Sequence, residues 1–229
     1  MIDEILSYRE MCDAENAQTL QRGMNYRINP RYSLILMSQR TNAPYRDRIL
    51  VDGITIEYEG HDEPKTSHDI NPKELDQPKY TKTGLFTQNG LFTKAIEKYR
   101  NGLAPPELVK AYEKILAGVW SLKGLFNLID FRVQHDGKRN VFIFILRLSE
   151  SQNIEKSSLV NIEHTRLIPS EVKKEVWKRD KGKCVICGSN NTLHFDHDLP
   201  FSRGGTSLTE KNIRLLCAKC NLAKSNRIE

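Results

Sequence analysis

The spacing of apolar side chains divides the chain into two kinds of pattern. The runs "YSLILMS" (32–38), "GITIEY" (53–58), "GLFNLIDFRV" (124–133) and "NVFIFILRL" (140–148) are strand-length, rich in Ile, Leu, Phe and Val, and bounded by turn residues. The last two flank "QHDGK" (134–138), whose Asp136-Gly137 pair predicts a tight hairpin. Helices are predicted near 2–22 and 89–101, with a short third at 109–116. Beyond residue 166 the elements shorten. "PSEVKKEVWKRD" (169–180) starts a helix that Ser170 can cap, with Glu171 in its first turn and Val172, Val176 and Trp177 on one apolar face. "TLHFDH" (192–197) and "IRLLC" (213–217) read as strands and "AKCNLAKSN" (218–226) as a short helix.

Between the patterns, 149–166 is polar, rich in Ser and Asn, and weakly patterned. The expected organisation is therefore a first domain over 1–150, a linker at 151–166 and a small domain over 167–229, of the α+β class with a strand-dominated first part. A domain that small needs a staple to hold its core.

Composition narrows the class. Charged residues make up 28% and hydrophobic ones 38%, and no apolar run approaches the roughly 20 residues of a membrane span. The opening "MIDEILSYRE" carries no secretory pattern, so a cytoplasmic location is expected. The net charge of +6 is not spread evenly: 166–229 holds 13 Lys/Arg against 7 Asp/Glu, while the first 165 residues carry 22 of each sign. A compact basic segment suits a polyanion, of which the nucleic-acid backbone is the commonest.

The cysteines are as uneven as the charge. Cys12 stands alone, whereas Cys184, Cys187, Cys217 and Cys220 form two C-x-x-C pairs. Each pair can present two thiolates from one turn, and two such turns complete a tetrahedron around one structural Zn²⁺. Two redox dithiols are the alternative, but they call for a thioredoxin-like βαβ setting that the pattern lacks.

With zinc satisfied by four cysteines, the imidazoles of "LHFDHDLPFSRGG" (193–205) are available for other chemistry. Strand, strand and helix, clipped by the cysteines, would bring Asp196, His197, Asn212 and Asn221 together, with Asn221 and Lys224 on one helical face. The ordered set of paired cysteines, Asp-His, Pro, Gly-Gly, a middle Asn and Cys-Asn-x-x-Lys over 168–227 resembles the HNH nuclease motif, the ββα-metal finger, in its four-cysteine form. The resemblance implies His197 as general base, Asp196 and Asn221 as ligands of a catalytic divalent cation (Mg²⁺ or Mn²⁺), and Asn212 as the residue that fixes the loop. Lys224 and Arg203 are phosphate-contact candidates. These residue types suit phosphodiester hydrolysis, since a neutral histidine accepts a proton from water near pH 7 and a hard cation takes oxygen ligands. Asp198 departs from the motif, which more often has an apolar residue there, and His194 falls on the strand face of Asp196.

A second resemblance covers about 32–148. "YSLILMS", "APYRDRILVDGITIEYEGHD", "DQPKYTKTGLFTQNGLFTKAI", "GLFNLIDFRV" and "VFIFILRL" follow one another as in SRA domains, the PUA-like readers of modified cytosine. It implies a pocket in which Tyr45 and Tyr58 hold a flipped base and Asp47 accepts from its amino group. The usual basic finger loop is replaced by the shorter, acidic "NPKELDQP".

Together these imply a DNA endonuclease, metal-dependent and directed to double-stranded DNA carrying 5-methyl- or 5-hydroxymethylcytosine. Each finger would cut one strand, so a double-strand break implies a homodimer or two nicks. The alternatives are a sequence-specific HNH endonuclease that reads unmodified DNA, and a non-catalytic zinc DNA-binding protein.

Overall fold

A computed structural model of the chain describes residues 3–62, 71–149, 167–199 and 205–224. The expected linker at 151–166 and the phosphate candidate Arg203 lie outside these residues. In chain order the described elements are β1 (Ile5–Leu6), α1 (Tyr8–Ala14), β2 (Met24–Asn29), β3 (Tyr32–Met37), β4 (Arg48–Ile49), β5 (Thr55–Glu59), α2 (Gln88–Arg100), β6 (Glu107–Leu116), β7 (Val119–His135) and β8 (Asn140–Leu148). They continue with α3 (Ser170–Arg179), β9 (Leu193–His197), β10 (Ile213–Cys217) and α4 (Ala218–Lys224). No described helix is long and apolar enough to cross a membrane.

The mixed α+β class holds. One sheet takes the order β2-β3-β6-β7-β8-β5-β4, with β3 and β6 parallel, the other neighbours antiparallel, and β1 added against β7. The β7–β8 hairpin closes at Asp136-Gly137, where Gly137 has φ 104° and the Asp136 carboxylate accepts from the backbone N–H of Lys138 (2.9 Å) and Arg139 (3.0 Å). Helix α2 starts where Thr87 accepts from Gly90 N–H, and it packs Phe92 and Ile96 against Phe126, Phe144 and Met24 of the sheet.

Three expectations are corrected. The helix at 2–22 shrinks to α1, because the Ser7–Glu10 capping box sets its start and the residues before it pair with β7 instead. The helix at 109–116 is the strand β6. Its Leu, Lys, Ala and Glu favour a helix locally, but pairing with both β3 and β7 overrides that preference, and Val109, Ala111 and Ile115 are buried on alternate positions. Ser170 begins α3 without capping it. Its hydroxyl lies on Glu113 and 2.8 Å from Gln39 Oε1.

A second, smaller core is built from Ile168, Val172 and Val176 of the α3 region, Leu193 and Phe195 of β9, Ile213, Leu215 and Leu216 of β10, and the buried thiols of Cys184 and Cys217, with Trp177 packed at its edge. It is the ββα arrangement expected after residue 166.

Candidate active site and metal centre

Cys184 and Cys187 come from the turn after α3, Cys217 ends β10, and Cys220 lies in α4. The turn holds its shape by Gly188 N–H to Cys184 O (2.8 Å) and Cys184 N–H to Ser189 O (2.7 Å). All four Sγ atoms lie within 4.8 Å of one another, and Cys187 and Cys217 Sγ are 3.6 Å apart. Zn–S bonds of about 2.3 Å place tetrahedral thiolates about 3.8 Å from each other, so the set fits one structural Zn²⁺. Burial opposes ionisation of Cys184, yet the backbone N–H groups of Cys217, Cys187 and Ile186 bring its thiol down to about 6. Hydrogen bonding to Cys217 first, then burial, pushes Cys220 up to about 12. Cys184 and Cys217 are thus both shifted toward the thiolate, and a bound metal would supply the charge that ionises the other thiols.

The four-cysteine cluster adjoins the β9–β10 hairpin, whose strand β10 ends on Cys217. Antiparallel pairing puts Asp196 opposite Arg214 and His197 opposite Ile213, and α4 packs against both strands. The loop after β9 is closed by Asn212: its Oδ1 accepts from Leu199 N–H (2.8 Å), and its Nδ2 donates to Leu199 O (3.0 Å) and Thr206 O (2.9 Å). A Cβ at Gly205 would collide with the Leu199 carbonyl oxygen, which explains a glycine there. The His197 ring has Nε2 2.8 Å from Ser207 Oγ, and burial holds its imidazole below the ordinary histidine value against the pull of Asp3 and Asp196. Ser207 is 1% exposed. Nothing in the sequence singles it out, since a serine in a polar loop carries no signal.

Lys224 is placed differently from a surface phosphate contact. It is 3% exposed, and its ammonium lies 2.5 Å from Asp196 Oδ2 and on the His197 carbonyl oxygen. Asp196, one of the two expected cation ligands, is thus already paired with an ammonium in this structure, and its carboxylate oxygens are hard donors of the kind a divalent cation takes. Asn221 sits one turn earlier on α4, half-buried, and its side chain makes no hydrogen bond among the described residues. Asp198 pairs with Arg214 at 3.2 Å. His194 is 2% exposed, burial lowers its imidazole below the ordinary histidine value, and its ring nitrogens have no hydrogen-bond partner among the described residues.

In the larger unit a cavity of about 450 Å³ is lined by Tyr45, Asp47, His61, Ser38, Arg40 and Trp120, among others. The Asp47 carboxylate accepts from Ser38 N–H (3.0 Å) and Glu59 N–H (3.1 Å), and burial pushes it up to about 7 against those bonds. The Tyr45 ring stacks on His61, with centroids 5.2 Å apart and planes 8° from parallel. Tyr58 is 1% exposed within the sheet's core, does not line the cavity, and donates its hydroxyl to Gly23 O (2.8 Å). Of the three expected pocket residues, the structure brings Tyr45 and Asp47 to the cavity and adds His61. Arg48 is engaged by Glu57, while Arg40 reaches the cavity wall.

Residues 184–227 match the HNH endonuclease family. The C-terminal unit is an HNH endonuclease domain with a zinc-type four-cysteine cluster. No curated protein sequence matches the chain. Among solved structures, the SRA domain of SUVH5 with hemi-methylated CG DNA has 18% identity over 65% of this chain and 88% of that one, with TM-score 0.44. The modification-dependent TagI restriction endonuclease has 18% identity over 96% of this chain and 75% of that one, with TM-score 0.41. SUVH6 of Arabidopsis thaliana has 20% identity over 76% of this chain and 28% of that one, with TM-score 0.44.

Proposed function

We propose that the chain is an endonuclease that hydrolyses phosphodiester bonds in double-stranded DNA and is directed to sites carrying a modified cytosine. The observation that carries the nuclease reading is the hairpin, flanked by the four-cysteine cluster, that ends β9 on Asp196 and His197 with α4 packed against it. In the tautomer whose Nε2–H donates to Ser207 Oγ, Nδ1 of His197 would take the proton from the attacking water, and burial, which lowers the ring's proton affinity, favours the neutral form that this role needs. Asp196 and the Asn221 amide oxygen would hold one Mg²⁺ or Mn²⁺, which supplies charge neutralisation at the phosphate when bound. Asn212 ties Leu199 to the segment before β10, Arg203 would serve as a phosphate contact, and the basic excess after residue 166 would provide the nonspecific attraction.

In this reading residues 1–150 read the base, 151–166 link, and 167–229 cut. The cavity behind Tyr45 supports the reading role: it has an aromatic wall for a flipped base and, in Asp47, a carboxylate whose remaining lone pairs suit the amino group of cytosine. Tyr58 would act from behind the wall, through its hydroxyl 3.1 Å from His61 Nε2. The test is digestion, with Mg²⁺, of otherwise identical plasmids bearing cytosine, 5-methylcytosine or 5-hydroxymethylcytosine. Cleavage confined to modified plasmids supports the proposal. Equal cleavage of all three assigns a nuclease that reads unmodified sequence.

A further inference from the structure

The first described residues belong to both units at once. Asp3 N–H donates to Leu122 O (2.6 Å), Leu122 N–H donates to Glu4 O (2.9 Å), and Ile5 and Leu6 pair with Ser121 and Trp120 of β7. From the other side of the same segment, Asp3 O accepts from Phe195 N–H (3.3 Å), and Glu4 bridges to His194. Phe195 and His194 are in β9, the strand that carries Asp196 and His197. Asp3 makes both connections from a left-handed backbone (φ 62°), a conformation that costs energy outside glycine and persists where the surroundings dictate it.

Under this strap lies a seam of buried charge. The Lys173 ammonium of α3 lies on the Asp3 carboxylate and 2.8 Å from Ser121 Oγ. The Lys123 ammonium of β7 pairs with Glu113 of β6 (3.0 Å) and donates to Ile168 O (3.2 Å). Lys123, Glu113 and Lys173 are 0% exposed and Asp3 is 7% exposed. Two ammonium groups and two carboxylates thus neutralise one another across the boundary between the large sheet and α3. Buried ion pairs add little net stability over apolar packing, but they tolerate only one arrangement, since any shift leaves a charge unpaired in a dry site.

We propose that Asp3 and Lys173 are positioning residues, which lock the nuclease hairpin to the base-reading sheet so that the cut falls at a fixed offset from the base read. This rests on the reader-and-nuclease reading above. Without the lock, the covalent connection through 151–166 alone would set the reach. A freely flexible tether of that length would span about 20 Å, which corresponds to on the order of six base pairs at about 3.4 Å each.

The experiment uses the full chain and a duplex with one modified cytosine, and maps cut positions at nucleotide resolution for the wild type and for Lys173→Met combined with Asp3→Asn. The double substitution removes both charges, so it leaves no lone ion in the seam. Hydrogen exchange at the Leu122 and Phe195 amides reports whether the strap has opened. The wild type is expected to cut at one or two positions per strand. The variant is expected to lose protection at both amides and to spread its cuts over several base pairs, with affinity for the duplex changed less than about threefold, since neither substituted residue lines the cavity. A structural role alone would lower yield or melting temperature and leave the cut positions in place. Unchanged positions overturn the proposal, whether or not protection falls. If the wild type shows no preference for the modified duplex, the reader reading fails instead, and protection of Phe195 that survives the double substitution would by itself refute the strap.

Discussion

The Lys224 ammonium and the Asp196 carboxylate lie 2.5 Å apart, joining the end of α4 to the strand that carries His197. The lysine is nearly sealed from solvent, whereas the carboxylate is 22% exposed and so keeps a face for other partners. The pair holds the aspartate in place without a metal, and in the proposed mechanism the divalent cation would compete with Lys224 for that carboxylate.

Lys224→Met removes the competing ammonium. Mn²⁺ binding to the DNA-free protein, followed by calorimetry, is expected to tighten by up to about tenfold, the equivalent of one interaction of ~1.4 kcal/mol. Unchanged or weaker binding would show that Lys224 supports the cation site and does not compete for it.

Zinc should be part of the fold of the C-terminal unit. Metal binding at four-cysteine sites contributes on the order of 10 kcal/mol to folding of such units, more than a core of this size supplies alone. Cys217→Ser is therefore expected to lose the bound zinc, one per chain in the wild type, and to abolish the cooperative melting of residues 167–229. Retention of both zinc and the transition would refute the assignment.

The pH dependence follows from burial of His197. Its folded value lies below that of an unfolded histidine near 6.5, so on acidification the unfolded chain binds a proton first. The associated stability is complete above about pH 6.5 and falls as the pH drops from there toward the lower folded value. In the proposed mechanism the neutral ring is also the base, so the acid limb of single-turnover cleavage is expected below the ordinary histidine value. An acid limb centred at or above the ordinary histidine value would contradict this.

Tyr45 presents its ring to His61 and the cavity. Tyr45→Ala is expected to weaken binding to a duplex with one modified cytosine by about 10–100-fold, the usual cost of a lost stacking partner. The weak, salt-sensitive binding to unmodified DNA should be unaffected, because phosphate contacts carry it. An equal loss on both duplexes would place Tyr45 in general DNA binding.

Much of this was legible in the residues, and the gaps have physical causes. The β7–β8 hairpin, α2 and the β9–β10–α4 unit declare themselves through Asp136-Gly137, Thr87 and the cysteine spacing, all short-range signals. β6 was unreadable as a strand because its composition favours a helix, and only its two neighbours in the sheet decide otherwise. At the site, the residue types of Asp196, His197, Asn212 and Asn221 are visible in the motif. The contacts of His197 with Ser207, Asp196 with Lys224 and Asp3 with Lys173 are not, since each joins segments whose approach is fixed by tertiary packing. His61 was hidden for the same reason: its place against Tyr45 depends on Asn89, whose side chain bonds both His61 N–H (2.9 Å) and His61 O (2.8 Å).

The central claim, that this hairpin cuts DNA through His197, is tested most directly by cleavage of a singly modified duplex with His197→Ala under saturating protein and Mg²⁺. The account predicts a loss of about 10²–10⁴-fold in the single-turnover rate, with duplex affinity and zinc content as in the wild type. Cleavage at the wild-type rate would contradict it.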